Sequence, residues 1–115
     1  MVRQKTKAYI RGLGSKQTYP DGLERKEIWI NKKSANILPY QENLRIKVNL
    51  IIGNKTYKAG LRTTPKQEVV AICPDLKDNK DDKISLAHAL EECGFRKNQE
   101  VFLEVDGETI RITSA

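Results

Sequence analysis

In the run Leu44-Arg45-Ile46-Lys47-Val48-Asn49-Leu50-Ile51-Ile52-Gly53-Asn54-Lys55-Thr56-Tyr57-Lys58-Ala59-Gly60-Leu61, apolar side chains recur at every second position. Leu44, Ile46, Val48, Leu50 and Ile52 share one face, with Arg45, Lys47 and Asn49 between them, which is the period of a half-buried strand. Gly53-Asn54 supplies a tight turn, and Tyr57, Ala59 and Leu61 return on one face. A second hairpin is expected where Val101, Leu103 and Val105 alternate, Asp106-Gly107 turns, and Ile110 and Ile112 continue. Shorter strands are expected over 7–12, 27–30 and 68–72.

Two helices interrupt this pattern. Residues 85–93 carry an N-cap serine, Asp81 and Asp82 ahead of it to complement the dipole, and Gly94 as a stop. Leu86, Leu90 and Cys93 form its apolar stripe. A shorter helix is expected over 32–38, ended by Pro39. Three polar loops remain: 12–26, 61–67 and the acidic 74–83. With 115 residues, no repeat, no low-complexity tract and no linker, the chain reads as one domain. The fold class expected is mainly β with two short helices.

Composition bounds the function. Residues 1–68 hold fifteen Lys and Arg against five Asp and Glu, a balance of +10, whereas residues 69–115 hold six against ten, a balance of −4. A basic half of this size suits a polyanion, because Lys and Arg release the counterions condensed on phosphates. No apolar run approaches the roughly 20 residues of a membrane helix, and the N-terminus lacks the apolar segment of a signal peptide. The chain is therefore expected to be intracellular, in the bacterial cytoplasm or on the nucleoid, with no membrane partner. Two cysteines, Cys73 and Cys93, make no disulfide framework and are read as small core residues. With one histidine they fall short of a zinc site.

Catalytic patterns are weak. Gly12-Leu13-Gly14-Ser15-Lys16 lacks the order and the following helix of a phosphate loop. The carboxylates of Pro20-Asp21 with Glu24, and of Pro74-Asp75 with Asp78, sit inside single turns rather than converging from separate strands on a cation. Asp75, Asp78, Asp81 and Asp82 lack the oxygen spacing of a calcium loop. His88 has no Ser, Cys or second His at a telling spacing and is read as a packed or surface residue. Trp29, in Ile28-Trp29-Ile30, is read as core near a strand end. No catalytic residue, metal, cofactor or small-molecule substrate is expected. The positive signal is a pair of polar loops. The first offers Ser15, Lys16, Gln17, Thr18, Tyr19, Asp21, Arg25 and Lys26, and the second Arg62, Thr63, Thr64, Lys66 and Gln67, side chains able to meet base edges and phosphates.

The series strand, polar arm, strand, short helix, hairpin, polar arm, strand, acidic loop, helix, hairpin resembles the DNA-binding pseudobarrel of the B-three type. That fold occurs in plant auxin-response and abscisic-acid-response factors and in the DNA-recognition domains of restriction endonucleases. Three segments carry the resemblance: Glu27-Ile28-Trp29-Ile30-Asn31-Lys32-Lys33; Asn54-Lys55-Thr56-Tyr57-Lys58; and Ser85 to Phe95 followed by Asn98-Gln99-Glu100-Val101-Phe102-Leu103. Asn98-Gln99 stands where the family usually has Gly-Asp, and the family's Trp before the second helix is absent. The resemblance implies a seven-stranded open pseudobarrel in which loops 12–26 and 61–67 are arms that clasp the major groove. The arm side chains would read bases, while Lys32 and Lys33 at the helix start would hold phosphates. It also implies a monomeric, sequence-specific recognition module for double-stranded DNA, with any cleavage in a separate nuclease domain or subunit. The rival readings are a small RNA-binding or toxin-like ribonuclease barrel and a swapped-hairpin dimeric transcription regulator.

Overall fold

The computed structural model describes residues 4–14, 16–42, 44–64 and 68–114. Its strands are β1 (Gln4–Gly12), β2 (Lys26–Asn31), β3 (Ile46–Ile52), β4 (Lys55–Thr64), β5 (Val69–Ile72), β6 (Asp75–Lys77), β7 (Lys83–Ser85), β8 (Glu100–Asp106) and β9 (Thr109–Ser114). A 3-10 helix, Lys32–Ile37, follows β2, and α1 (Leu86–Glu92) follows β7. Pairing runs β3-β9-β8-β1-β2-β5-β4, and β4 pairs back onto β3, closing a seven-stranded barrel. The β-rich barrel with two short helices expected from the sequence is the architecture found. β6 hangs off β4 at Lys58↔Lys77 and carries β7 outside the ring.

The alternation explains the barrel wall. Val48, Leu50 and Ile52 of β3 point inward, with Lys47 and Asn49 outside. Gly53 takes the positive φ (63°) required at the first central position of the hairpin turn. Inside, they meet Ile10, Ile28, Ile30, Leu61, Ile72, Leu103 and Ile110, all at most 1% exposed. At roughly 1.5–3 kcal/mol for each large aliphatic side chain buried, this interior is the main favourable term of the fold. Among the described residues β3–β9 is the one parallel contact of the ring, against six antiparallel ones.

Several local expectations are corrected. Leu44 lies before β3 and is 55% exposed, in an isolated bridge with Gln41 rather than on the barrel wall. The second hairpin turns at Gly107-Glu108, one residue later than expected, because Gly107 takes the positive φ (61°) and leaves Asp106 paired with Thr109. Residues 32–37 wind as a 3-10 helix, capped by Asn31 Oδ1 on the Lys33 amide at 2.9 Å. The acidic stretch 74–83 contains β6 and the start of β7, closed by Asp78 Oδ1 accepting from the amides of Lys80 and Asp82. Asp81 is paired with Lys58 at 2.8 Å and separated from α1 by β7, so it does not serve the helix dipole.

α1 starts where expected: Ser85 Oγ accepts from the His88 amide at 2.9 Å. It stops in a Schellman arrangement, with Phe95 N donating to Leu90 O, Gly94 N to Glu91 O, and Gly94 at φ 83°. Leu86, Ala87, Ala89 and Leu90 are buried, closing one end of the barrel, while Cys93 is exposed at the C-cap rather than in the core. Cys73 is buried as expected, and burial pushes its thiol pKa up. Among the described residues no helix is long and apolar enough to cross a membrane.

Candidate nucleic-acid interface

β1 and β2 meet at Gly12↔Lys26, so the chain between them leaves the barrel at the N-terminal end of β2. The opposite end of β2, Asn31, pairs with Val69, which also pairs with Thr64. β4 therefore leaves, and β5 enters, at the C-terminal end of β2. The two predicted arms are thus rooted at opposite ends of one strand, separated by five rises of about 3.3 Å, or roughly 17 Å.

The first arm is a structured ribbon. Leu13 N donates to Arg25 O (2.9 Å), Arg25 N to Gln17 O (2.7 Å) and Tyr19 N to Leu23 O (2.9 Å), extending the β1–β2 hairpin to a tip at Pro20-Asp21-Gly22. Its base is locked by Glu24, which accepts from the Gly14 amide (2.6 Å) and the Lys97 ammonium (2.9 Å). A side chain at Gly12 would collide with Glu24 and Lys97, so only glycine lets that carboxylate reach over the chain. At the tip, Asp21 Oδ2 meets His88 Nε2 at 2.7 Å, and Tyr19 packs against the His88 ring with centroids 5.1 Å apart.

These contacts sort the predicted site residues. Lys16 and Gln17 stand exposed on the ribbon, and Lys33 is exposed on the 3-10 helix. Arg25 is half-buried with its guanidinium over the Tyr19 ring at 5.1 Å. Lys26 is buried, its ammonium donating to Glu24 O at 3.2 Å, and Asp21 is held by His88. Lys32 is paired with Glu42 at 2.7 Å, which raises its pKa. The second predicted loop is partly strand: Leu61, Arg62, Thr63 and Thr64 belong to β4, with Leu61 fully buried and Thr63 half-buried. Arg62 is ion-paired with Glu27. Ser15, Lys66, Gln67 and the side chain of Thr64 lie outside the described residues.

His88 is more engaged than its sequence context indicated. Ser85, three residues earlier, places Oγ 2.6 Å from Nδ1, and Asp21, 67 residues away, takes Nε2. Bridging Ser85 and Asp21, the imidazole fastens the ribbon to α1. The His88 hydrogen bond holds the Asp21 carboxyl below its ordinary value, and Lys97 does the same for Glu24. The hold these carboxylates give is therefore complete above their ordinary values and lost as pH falls through the depressed ones. The backbone amide shifts of Gln17, Tyr19 and Arg25 are expected to move together as pH falls below about 4. Shifts that stay constant down to pH 2 would show that these carboxylates do not hold the ribbon.

Between the two arm roots lies a face that sequence reading missed. On the outside of β1 and β2, Tyr9 pairs directly with Trp29 and Arg11 with Glu27. Trp29 is half-buried on the outer face rather than core. Its Nε1–H donates to Glu27 Oε1 at 3.0 Å, while Arg62 holds Glu27 Oε2 and the Arg11 guanidinium lies over the indole at 5.1 Å. Glu27, 1% exposed, is thus a buried carboxylate that orients an indole and a guanidinium at once. The available signal was the period of two: residues 27, 29 and 31 share a face, and both flanking members of that face are polar.

Next to the ribbon opens a cleft of about 650 Å³ lined by Tyr19, Arg25, Arg45, Lys77 and Lys83 among others, with Asp75 as its only acid among the described residues. Four cations against one carboxylate give a positive concavity at the ribbon's root, of the kind that concentrates phosphates. Among the described residues no cluster of His, Cys, Asp or Glu is placed to hold a metal ion. Comparison with family models, curated proteins and solved structures finds no match for this chain.

Proposed function

We propose that this domain is a sequence-specific binding module for double-stranded DNA, acting as the target-recognition part of a restriction endonuclease or of a regulator in the bacterial cytoplasm. The observation that carries this reading is the placing of the two arm roots about 17 Å apart, on either side of a cationic and aromatic face. A major groove is about 12 Å wide, so arms at that separation reach both of its walls. The ribbon supports the reading further. Its backbone bonds and its Glu24 and Asp21 fasteners order it before binding, so docking loses little conformational entropy.

Docking would be electrostatic. Lys33 and the cleft of Arg25, Arg45, Lys77 and Lys83 would meet phosphates, and Lys16 and Gln17 on the ribbon would meet base edges. Arg62 and Lys26, held by Glu27 and by the Glu24 carbonyl, would position this surface rather than touch DNA. No residue of this mechanism breaks a bond, so cleavage in a restriction setting would fall to another domain or subunit.

Selection from a randomised duplex pool at 50 and 200 mM salt tests the reading. A short enriched motif, bound more weakly at the higher salt, is expected. Lys33→Ala should weaken all duplexes alike and reduce the salt slope by about 1. Gln17→Ala should relax one position of the motif at a cost of about 1–3 kcal/mol. Binding without enrichment, or no binding at either salt, would overturn the sequence-reading role.

A further inference from the structure

Resting on the nucleic-acid reading above, we propose that the Tyr9–Trp29 face is a stacking site for one unpaired DNA base, which the domain draws out of the duplex as it docks. With Ile28 and Ile30 turned inward, the strand's period of two puts Trp29 on the outer face. Here Glu27 is buried, at a desolvation cost that only its partners offset, and one of those partners is the outward indole. The fold thus maintains an aromatic surface outside its core, and Arg11 steadies it from above.

The cleft at this face, about 480 Å³, is lined by Tyr9, Arg11, Trp29, Asn31 and Val69. That is within the range of small-ligand clefts. Tyr9 is 46% exposed and supplies a ring face, Trp29 a wall, and Arg11 a cation near the phosphate of an everted nucleotide. Asn31 gives a polar reader. Its Oδ1 is taken by the Lys33 amide, so Nδ2 is the end left to donate, and it matches a base carbonyl. Thymine, cytosine and guanine carry one and adenine does not. Charge argues for the occupant too, since Arg11 lies in the strongly basic part of the chain and an apolar partner would leave that guanidinium unmatched.

Trp29 is the only tryptophan of the sequence, so its emission reports this face directly. The probes are a labelled duplex, the same duplex with an abasic site opposite a thymine, and single-stranded oligo-dT and oligo-dA, each followed by label anisotropy and by Trp29 emission. Expected are quenching by oligo-dT well above that by oligo-dA, quenching by the duplex, and several-fold tighter binding of the abasic duplex, whose thymine is already unpaired. Tyr9→Ala, an exposed position whose folding is checked by its melting curve, should weaken oligo-dT roughly tenfold or more. Duplex binding by anisotropy, with emission unchanged and Tyr9→Ala without effect, overturns the stacking site and leaves the duplex reading standing. Quenching by oligo-dT with no duplex binding overturns the duplex reading, and with it the drawing of the base from a duplex, and supports only the stacking contact. Single-stranded RNA of the same sequence binding more tightly than the DNA overturns DNA as the source of the base.

Discussion

Arg62→Ala is expected to destabilise the domain by about 3–5 kcal/mol, a fall in melting temperature on the order of 10–20 °C. The magnitude follows from an asymmetry within the Arg62–Glu27 pair. The Glu27 side chain is 2% exposed, whereas that of Arg62 is 38% exposed. Removing Arg62 strands a carboxylate inside the protein with, among the described residues, only the Trp29 indole N–H to hydrogen-bond it. Removing the other charge, by Glu27→Gln, leaves a guanidinium that can turn to water and keeps an acceptor for Trp29. That variant should lose only about 1–2 kcal/mol. Thermal melts of the two variants check the order, and equal losses, or a larger one for Glu27→Gln, would defeat the argument. On the proposed function, Arg62→Ala should also lose DNA affinity through misplacement of Trp29 and Arg11. Binding measured well below the lower melting temperature separates that from simple unfolding.

What the sequence disclosed depended on how far apart the interacting groups stand. The wall strands were legible because Val48, Leu50 and Ile52, or Val101, Leu103 and Val105, repeat a local period that one buried face enforces. α1 was legible because its cap, Ser85, and its stop, Gly94, act within four residues of the helix ends. β6 and β7 were not, since each has three residues and a single apolar side chain, Leu76 or Ile84, too few to show any period. The same limit hid the site. Loop 12–26 reads only as a polar arm because Asp21–His88 and Glu24–Lys97 join residues 67 and 73 positions apart. Arg62 reads as a free base-reader because its partner, Glu27, is 35 residues away. In each case a distant opposite charge had claimed the side chain. The residues that remain exposed, Lys16, Gln17 and Lys33, have no such long-range ion pair among the described residues.

Closure of the ring sets the second large expectation, Leu50→Ala, at about 3–5 kcal/mol of lost stability, the upper part of the range for a buried leucine. Leu50 is fully buried on the strand that makes both closing contacts, antiparallel to Tyr57 of β4 and parallel to Ile110 of β9. A wall strand hydrogen-bonded on both edges cannot move inward without breaking ladder bonds on one side, so the space left by the side chain stays open. Leu90 is buried to the same extent, but it sits on a two-turn helix at the barrel mouth. α1 can settle toward the core as a unit, so Leu90→Ala should lose less, about 2–3 kcal/mol. Both deletions remove the same atoms, so hydrophobic transfer cancels in the comparison and the difference measures how well each site collapses. Denaturant melts of the pair decide it. A larger loss at Leu90 would mean that the ring yields more readily than the helix that caps it, and that β3 is not rigidly held by its two neighbours.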